Sequence, residues 1–164
     1  MGLPLESLLA EAEREGVIIA DRRFKGRYRA LYIDAVITIN TRFRRTRKKL
    51  TELIAEELGH HYTSSGDILD QSDIRKRKQE LIARAWAYKR LIPLSGLISA
   101  YCDRISGRTD LADYFDVTER FFQAAIDFYK SKYGVYKLYG DRHLIYFDPL
   151  GVVELHPDVI RMRK

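Results

Sequence analysis

Ala55-Glu56-Glu57-Leu58-Gly59-His60-His61-Tyr62 is the stretch on which the reading of this chain turns. Except that Glu56 stands where a histidine is expected, it matches the H-E-x-x-H helix. There, two histidines four residues apart face one metal ion, and the glutamate between them activates its water. His60 keeps the second ligand position, Glu57 is the candidate base, and Glu56 offers a carboxylate oxygen in place of the first imidazole. Zinc accepts carboxylate ligands, yet an added carboxylate makes bound water less acidic and favours manganese or another oxygen-preferring ion. A site without metal is the far end of that range. Glu57 with His61 is an alternative ligand pair at the same spacing; the first register is preferred because it leaves Glu57 free as base.

Outward from the motif, Leu50, Leu53, Ile54 and Leu58 recur at helical spacing, which predicts a helix from just after Asn40 or Thr41 to about Tyr62. At about 100° per residue, Glu57 and His61 point along the middle of the apolar stripe and Glu56 and His60 along its edge. A polar group aimed into a core needs a partner, because unpaired burial costs roughly 1 to 3 kcal/mol. A metal or a substrate cleft supplies one. Glu57 and His61 pairing with each other, or His61 as an ordinary core histidine, is the plainer account.

Upstream, Leu3 to Glu15 reads as an amphipathic helix through Leu5, Leu8, Leu9 and Ala12. Val17 to Ala20, Arg27 to Ile33 and Val36 to Ile39 read as three strands of an antiparallel meander, with turns at Gly26 and Asp34-Ala35. Downstream, Asp73 to Leu91 is free of Gly and Pro and predicts a helix ending before Pro93, with Ile74, Leu81, Ala85, Trp86 and Tyr88 or Leu91 facing inward. A tetrahedral catalytic site takes a third protein ligand from another element. Glu80 is available on this helix, although a carboxylate among basic residues is more often a surface ion-pair partner.

Ile37-Thr38-Ile39-Asn40, then the motif, then Glu80-x-x-Ala83-x-x-Trp86-Ala87 leading to Leu91-Ile92-Pro93, together resemble the ImmA/IrrE family of metallopeptidases over residues 25 to 134. The resemblance implies His60 and Glu80 as metal ligands, Glu56 in the first-ligand position and Glu57 as general base. It implies zinc as the metal. It also implies a compact, cytoplasmic regulator that cuts a helix-turn-helix repressor of a prophage or mobile element. A non-catalytic relative that binds the repressor as an antirepressor is the alternative.

Leu111 to Thr118 followed by Glu119 to Tyr133 reads as two helices around a short turn, with Thr118 as N-cap and Phe121, Phe122, Ala125, Ile126 and Tyr129 as the packed face. It resembles a helix-turn-helix, but the second helix offers only Arg120, Gln123 and Lys130 for reading bases, so packing is the favoured role. Tyr136 to Leu155 alternates apolar and polar residues around Gly140-Asp141 and Asp148 to Gly151, predicting a terminal hairpin. His143 and His156 have no ligand spacing to the motif. The expected fold is α+β and mostly helical. It is read as one domain, divided into 1–16, 17–93, 94–134 and 135–164.

Composition narrows the classes. The chain has 164 residues, 46% of them hydrophobic, enough for a respectable core. Its single Cys102 excludes an intramolecular disulfide, and no apolar run is long enough to cross a bilayer. With no basic-then-apolar leader, the expectation is a soluble cytoplasmic protein. The formal charge of +6 comes largely from Arg22 to Lys25, Arg42 to Lys49 and Arg75 to Lys78. These runs read first as solvated faces, with direct nucleic-acid contact the less favoured reading.

Overall fold

The computed structural model describes residues 5–43, 46–63 and 73–155. The fold is α+β, with helices α1 (Leu5–Arg14), α2 (Arg47–Thr63), α3 (Asp73–Leu91), α4 (Leu94–Cys102), α5 (Arg108–Tyr114) and α6 (Glu119–Tyr133). Strands β1 (Ile18–Arg22), β2 (Ala30–Ile33) and β3 (Val36–Asn40) form one sheet; β4 (Tyr136–Tyr139), β5 (His143–Phe147) and β6 (Leu150–Glu154) form another. The chain folds as two compact units, one running through Leu91 and the other beginning at Ile92.

In the first unit the sheet order is β1-β3-β2. The expected antiparallel meander is therefore corrected to a mixed sheet: β2 and β3 form an antiparallel hairpin, while β1 pairs with β3 in parallel. The hairpin turn is Asp34-Ala35, both at positive φ (49° and 61°), the backbone that a two-residue turn between right-twisted strands needs. The connection from β1 to β2 carries the chain past the place that β3 then fills.

Asn40 governs that connection. Fully buried, its amide donates to the carbonyls of Phe24 and Tyr28, each at 3.1 Å, and its Oδ1 accepts from the Arg42 N–H at 3.1 Å. The Asn40 N–H in turn reaches the Arg29 carbonyl at 2.8 Å. The motif helix accordingly begins at Arg47 rather than right after Asn40, because Asn40 closes β3 and organises the loop instead of capping a helix.

Three helices complete this unit. Leu5, Leu8 and Ala12 bury one face of α1 as expected, while Leu9 turns outward. Glu11 is buried beside them. It accepts hydrogen bonds from Arg90 Nε of α3 at 3.1 Å and from the Tyr62 hydroxyl of α2 at 3.1 Å, so one carboxylate ties three helices. The inward face of α3 is Ala83, Ala87 and Leu91, whereas Leu81, expected inside, is 61% exposed. Small side chains face α2 there because the two helices approach too closely for a leucine.

In the second unit, Thr118 caps α6 by accepting from the Phe121 N–H at 3.2 Å, and Phe121, Phe122, Ala125, Ile126 and Tyr129 are buried, as the helix-pair reading requires. Tyr129 donates to the Ile92 carbonyl at 2.7 Å, which satisfies a buried hydroxyl. Gly96 lets α4 sit against Phe115: a Cβ there would lie 2.7 Å from the ring. The predicted terminal hairpin is a three-stranded antiparallel meander, since Leu150 to Glu154 pairs back on β5.

Replacing Asn40 by Ala removes a fully buried amide and leaves two part-buried carbonyls and an N–H without it. Urea unfolding is expected to show a loss of about 2 to 4 kcal/mol, whereas a loss below about 1 kcal/mol would remove Asn40 from its organising role.

Candidate active site

The site grows from the seam between α2 and α3. A Cβ built on Gly59 would lie 2.4 Å from the Ala83 carbonyl oxygen and 3.1 Å from its Cα, so only glycine permits this approach. Ala55 and Leu58 of α2 and Ala83 and Ala87 of α3 are fully buried around it. The contact fixes the register of the two helices. His60 follows Gly59 by one residue and Glu80 precedes Ala83 by three, and His60 Nε2 comes within 3.4 Å of Glu80 Oε1. The other Glu80 oxygen faces Arg84 Nη2 at 3.8 Å, one helical turn on.

Glu57 is 9% exposed and accepts no hydrogen bond from any described residue. Burial pushes its carboxyl up to about 7, and the charges of Glu56 and Glu80 add to the rise. Glu56 is half-buried, and its carboxyl is also raised, chiefly by burial. Arg84 and Arg29 pull it down while Glu52 and Glu80 push it up. Three carboxylates and one imidazole thus share a small space in which negative charge is costly.

His61 turns away from this group toward β2. Its Nδ1 shares a 2.7 Å hydrogen bond with the Tyr32 hydroxyl, and its ring stands edge-on to Tyr32 and Tyr62, with centroids 5.6 and 5.1 Å away. Glu57 and His61 therefore do not pair with each other. Tyr62 stacks on Trp86 at 5.0 Å, continuing the seam toward the Glu11 network. His143 lies in β5 opposite Tyr139 and Glu154, and His156 falls outside the described residues.

The structure therefore brings His60 and Glu80 together, places Glu57 and Glu56 beside them, and gives His61 a different partner. Tyr32, Arg29 and Arg84 were not singled out from the sequence. Arg84 was within reach of such a reading, standing at i+4 from Glu80; Tyr32 was not, because its role depends on how β2 sits against α2.

A family model, Peptidase_M78, the IrrE N-terminal-like domain, matches residues 12–127, more than half of the chain. The chain belongs to this family. No curated protein matches it. Family membership supports a function of the metallopeptidase type, and the matched span runs from the last turn of α1 into α6, stopping before the β4–β6 meander.

M78 peptidases are generally metal-dependent, so the donor set of this chain needs testing against a metal. A catalytic zinc site takes three protein ligands. Among the described residues, no three His, Cys, Asp or Glu side chains converge in that way. His60 and Glu80 meet, but Glu56 does not join them as a third donor, and an arginine shares Glu80. The described residues do not present a complete ligand set. A buried carboxyl near 7 is matched in proton affinity to proton transfer at neutral pH. No helix among the described residues is long and apolar enough to cross a membrane.

Two outcomes follow for this seam. Gly59→Ala must force the helices apart and is expected to cost about 1 to 3 kcal/mol despite alanine's better helix propensity; a rise in Tm would refute the close contact. Folded Glu57 holds its proton more tightly than an unfolded carboxyl at 4.5, so its stabilising contribution is complete below that value and is lost as pH rises through about 7. In chelator-treated protein, Glu57→Gln is expected to gain stability relative to wild type across this window, by at most about 3 kcal/mol. Parallel urea-stability profiles for the two proteins would show that Glu57 titrates normally.

Proposed function

We propose that this M78 chain is an endopeptidase-type regulator that relieves repression in a prophage or mobile element by cutting a repressor of the helix-turn-helix class in the cytoplasm. The observation that carries the reading is the buried Glu57 carboxyl, poised near neutrality beside the His60–Glu80 pair. As a carboxylate, Glu57 accepts a proton from the water that attacks the scissile carbonyl. As the acid it then returns that proton to the leaving amine as the C–N bond breaks. His60, oriented by Glu80, adds a polar group one helical turn from Glu56 on the same face. The choice of a repressor as substrate rests on the resemblance of the motif and its flanking segments to ImmA/IrrE proteins.

One observation favours a second reading. Glu56 replaces the first imidazole, and only two donors meet among the described residues. In that reading the protein is a non-catalytic antirepressor that captures the repressor stoichiometrically.

Incubation with purified helix-turn-helix repressors of the proposed class separates the two. The first reading predicts cleavage fragments whose rate of formation falls about a hundredfold or more in Glu57→Gln, with repressor binding retained. Cleavage unchanged by Glu57→Gln would remove that residue from the chemistry. Tight one-to-one capture without fragments, indifferent to chelators, would establish the second reading.

A further inference from the structure

The whole formal charge of +6 belongs to residues 1–91; residues 92–164 carry equal numbers of acidic and basic side chains. Within the first unit, part of that charge is concentrated by the fold. The Arg23–Arg29 connection and the residues after β3 meet at one end of the first sheet, because Arg22 lies beside Asn40 in the parallel register and the Thr41 N–H bonds the Arg22 carbonyl at 3.2 Å. Asn40 binds the carbonyls of Phe24 and Tyr28 and the N–H of Arg42. One buried amide thereby sets the backbone that carries Arg22, Arg23, Lys25, Arg27, Arg29 and Arg42.

All six side chains are exposed, and none forms an ion pair with a described residue. Their state contrasts with that of other basic residues: Arg47, Arg84, Arg90, Arg108, Lys130 and Arg142 each meet a carboxylate. Crowding like charges on a loop held by four hydrogen bonds opposes folding, and apart from Arg29, whose charge also acts on Glu56, these cations gain no acidic partner among the described residues. An external anion removes the repulsion. Because the backbone is already ordered, binding such an anion requires little further loss of loop entropy.

We infer that this Asn40-organised loop end is a binding surface for the phosphate backbone of duplex nucleic acid. Five of the six cations are arginines, whose forked donors fit phosphate oxygens. Protein interfaces exclude charge from their centres and anchor on apolar side chains. Between Arg22 and Arg29 the loop presents only Tyr28, 63% exposed, and half-buried Phe24, too little for an apolar anchor but compatible with a charged backbone. Such binding reads charge spacing and not base sequence. Of its six cations only Arg29 also acts on the candidate site, through Glu56, and the four tested below leave Arg29 in place, so this inference and the peptidase reading can fail separately.

Fluorescence anisotropy with a short labelled duplex of random sequence, using the full chain across a salt series, tests this surface. Binding is expected to weaken linearly in log salt with a slope reporting about four to six neutralised phosphates. Substituting Gln for Arg22, Arg23, Lys25 and Arg27 together should lower affinity about tenfold or more and flatten the slope by about 3. The Glu57→Gln protein should bind as wild type. Substituting Gln for the exposed Lys76, Arg77 and Lys78 of α3 supplies the control for bulk charge, and circular dichroism checks that each variant folds. The inference is overturned by absent or salt-independent duplex binding, by an equal loss in the α3 control, or by polyglutamate displacing the duplex at matched charge; the last outcome would assign the surface to an acidic protein.

Discussion

Everything at the candidate site depends on how closely α2 approaches α3 at Gly59 and Ala83. A helix pair with ordinary side chains at its contact keeps its axes 8–10 Å apart. Here a missing Cβ on one helix and only a methyl group on the other bring backbone against backbone, and a single added carbon would sit 2.4 Å from a carbonyl oxygen. That contact turns two short sequence patterns into one piece of geometry. Leu58-Gly59-His60 and Glu80-x-x-Ala83 are complementary halves of a register that sets an imidazole 3.4 Å from a carboxylate.

The same seam explains the electrostatics. Closing α2 onto α3 removes water from Glu57, which lacks a hydrogen-bonding neighbour among the described residues, and crowds it with Glu56 and Glu80. Arginines do part of the work of neutralisation: Arg84 faces Glu80, and Arg84 and Arg29 both oppose the rise at Glu56. An imidazole in place of Glu56 would remove one negative charge from this group. The substitution therefore changes the charge balance of the site as well as one donor atom, and it bears directly on whether the seam acts by proton transfer or only as a scaffold for binding.

Much of this was legible in the sequence because it rests on local pattern. The α2 stripe, the α3 boundaries with their stop before Pro93, the Asp34-Ala35 turn and the Thr118 cap follow from periodicity, proline geometry and capping chemistry. What was not legible depends on contacts between distant segments. The parallel pairing of β1 with β3 requires β3 to enter between two strands, which alternation alone does not encode. Leu81 was assigned inward on apolarity, yet the α3 face that fits beside Gly59 must be alanine. His61 looked equivalent to His60 by spacing, and only the position of Tyr32 on β2 separates them. Asn40 looked like a helix signal, but its amide is consumed by a loop that no periodicity describes.

The most direct test of the account is the titration of Glu57 itself. Carbon-13 NMR of the side-chain carboxyls in protein labelled on glutamate, with Glu57→Gln for assignment and chelator present throughout, reads its protonation without reference to any substrate. A carboxyl midpoint near 7, absent from the variant, is the result the α2–α3 seam predicts. A midpoint at the ordinary value of 4.5 would mean that Glu57 is neither desolvated nor crowded as described, and would contradict the account at its centre.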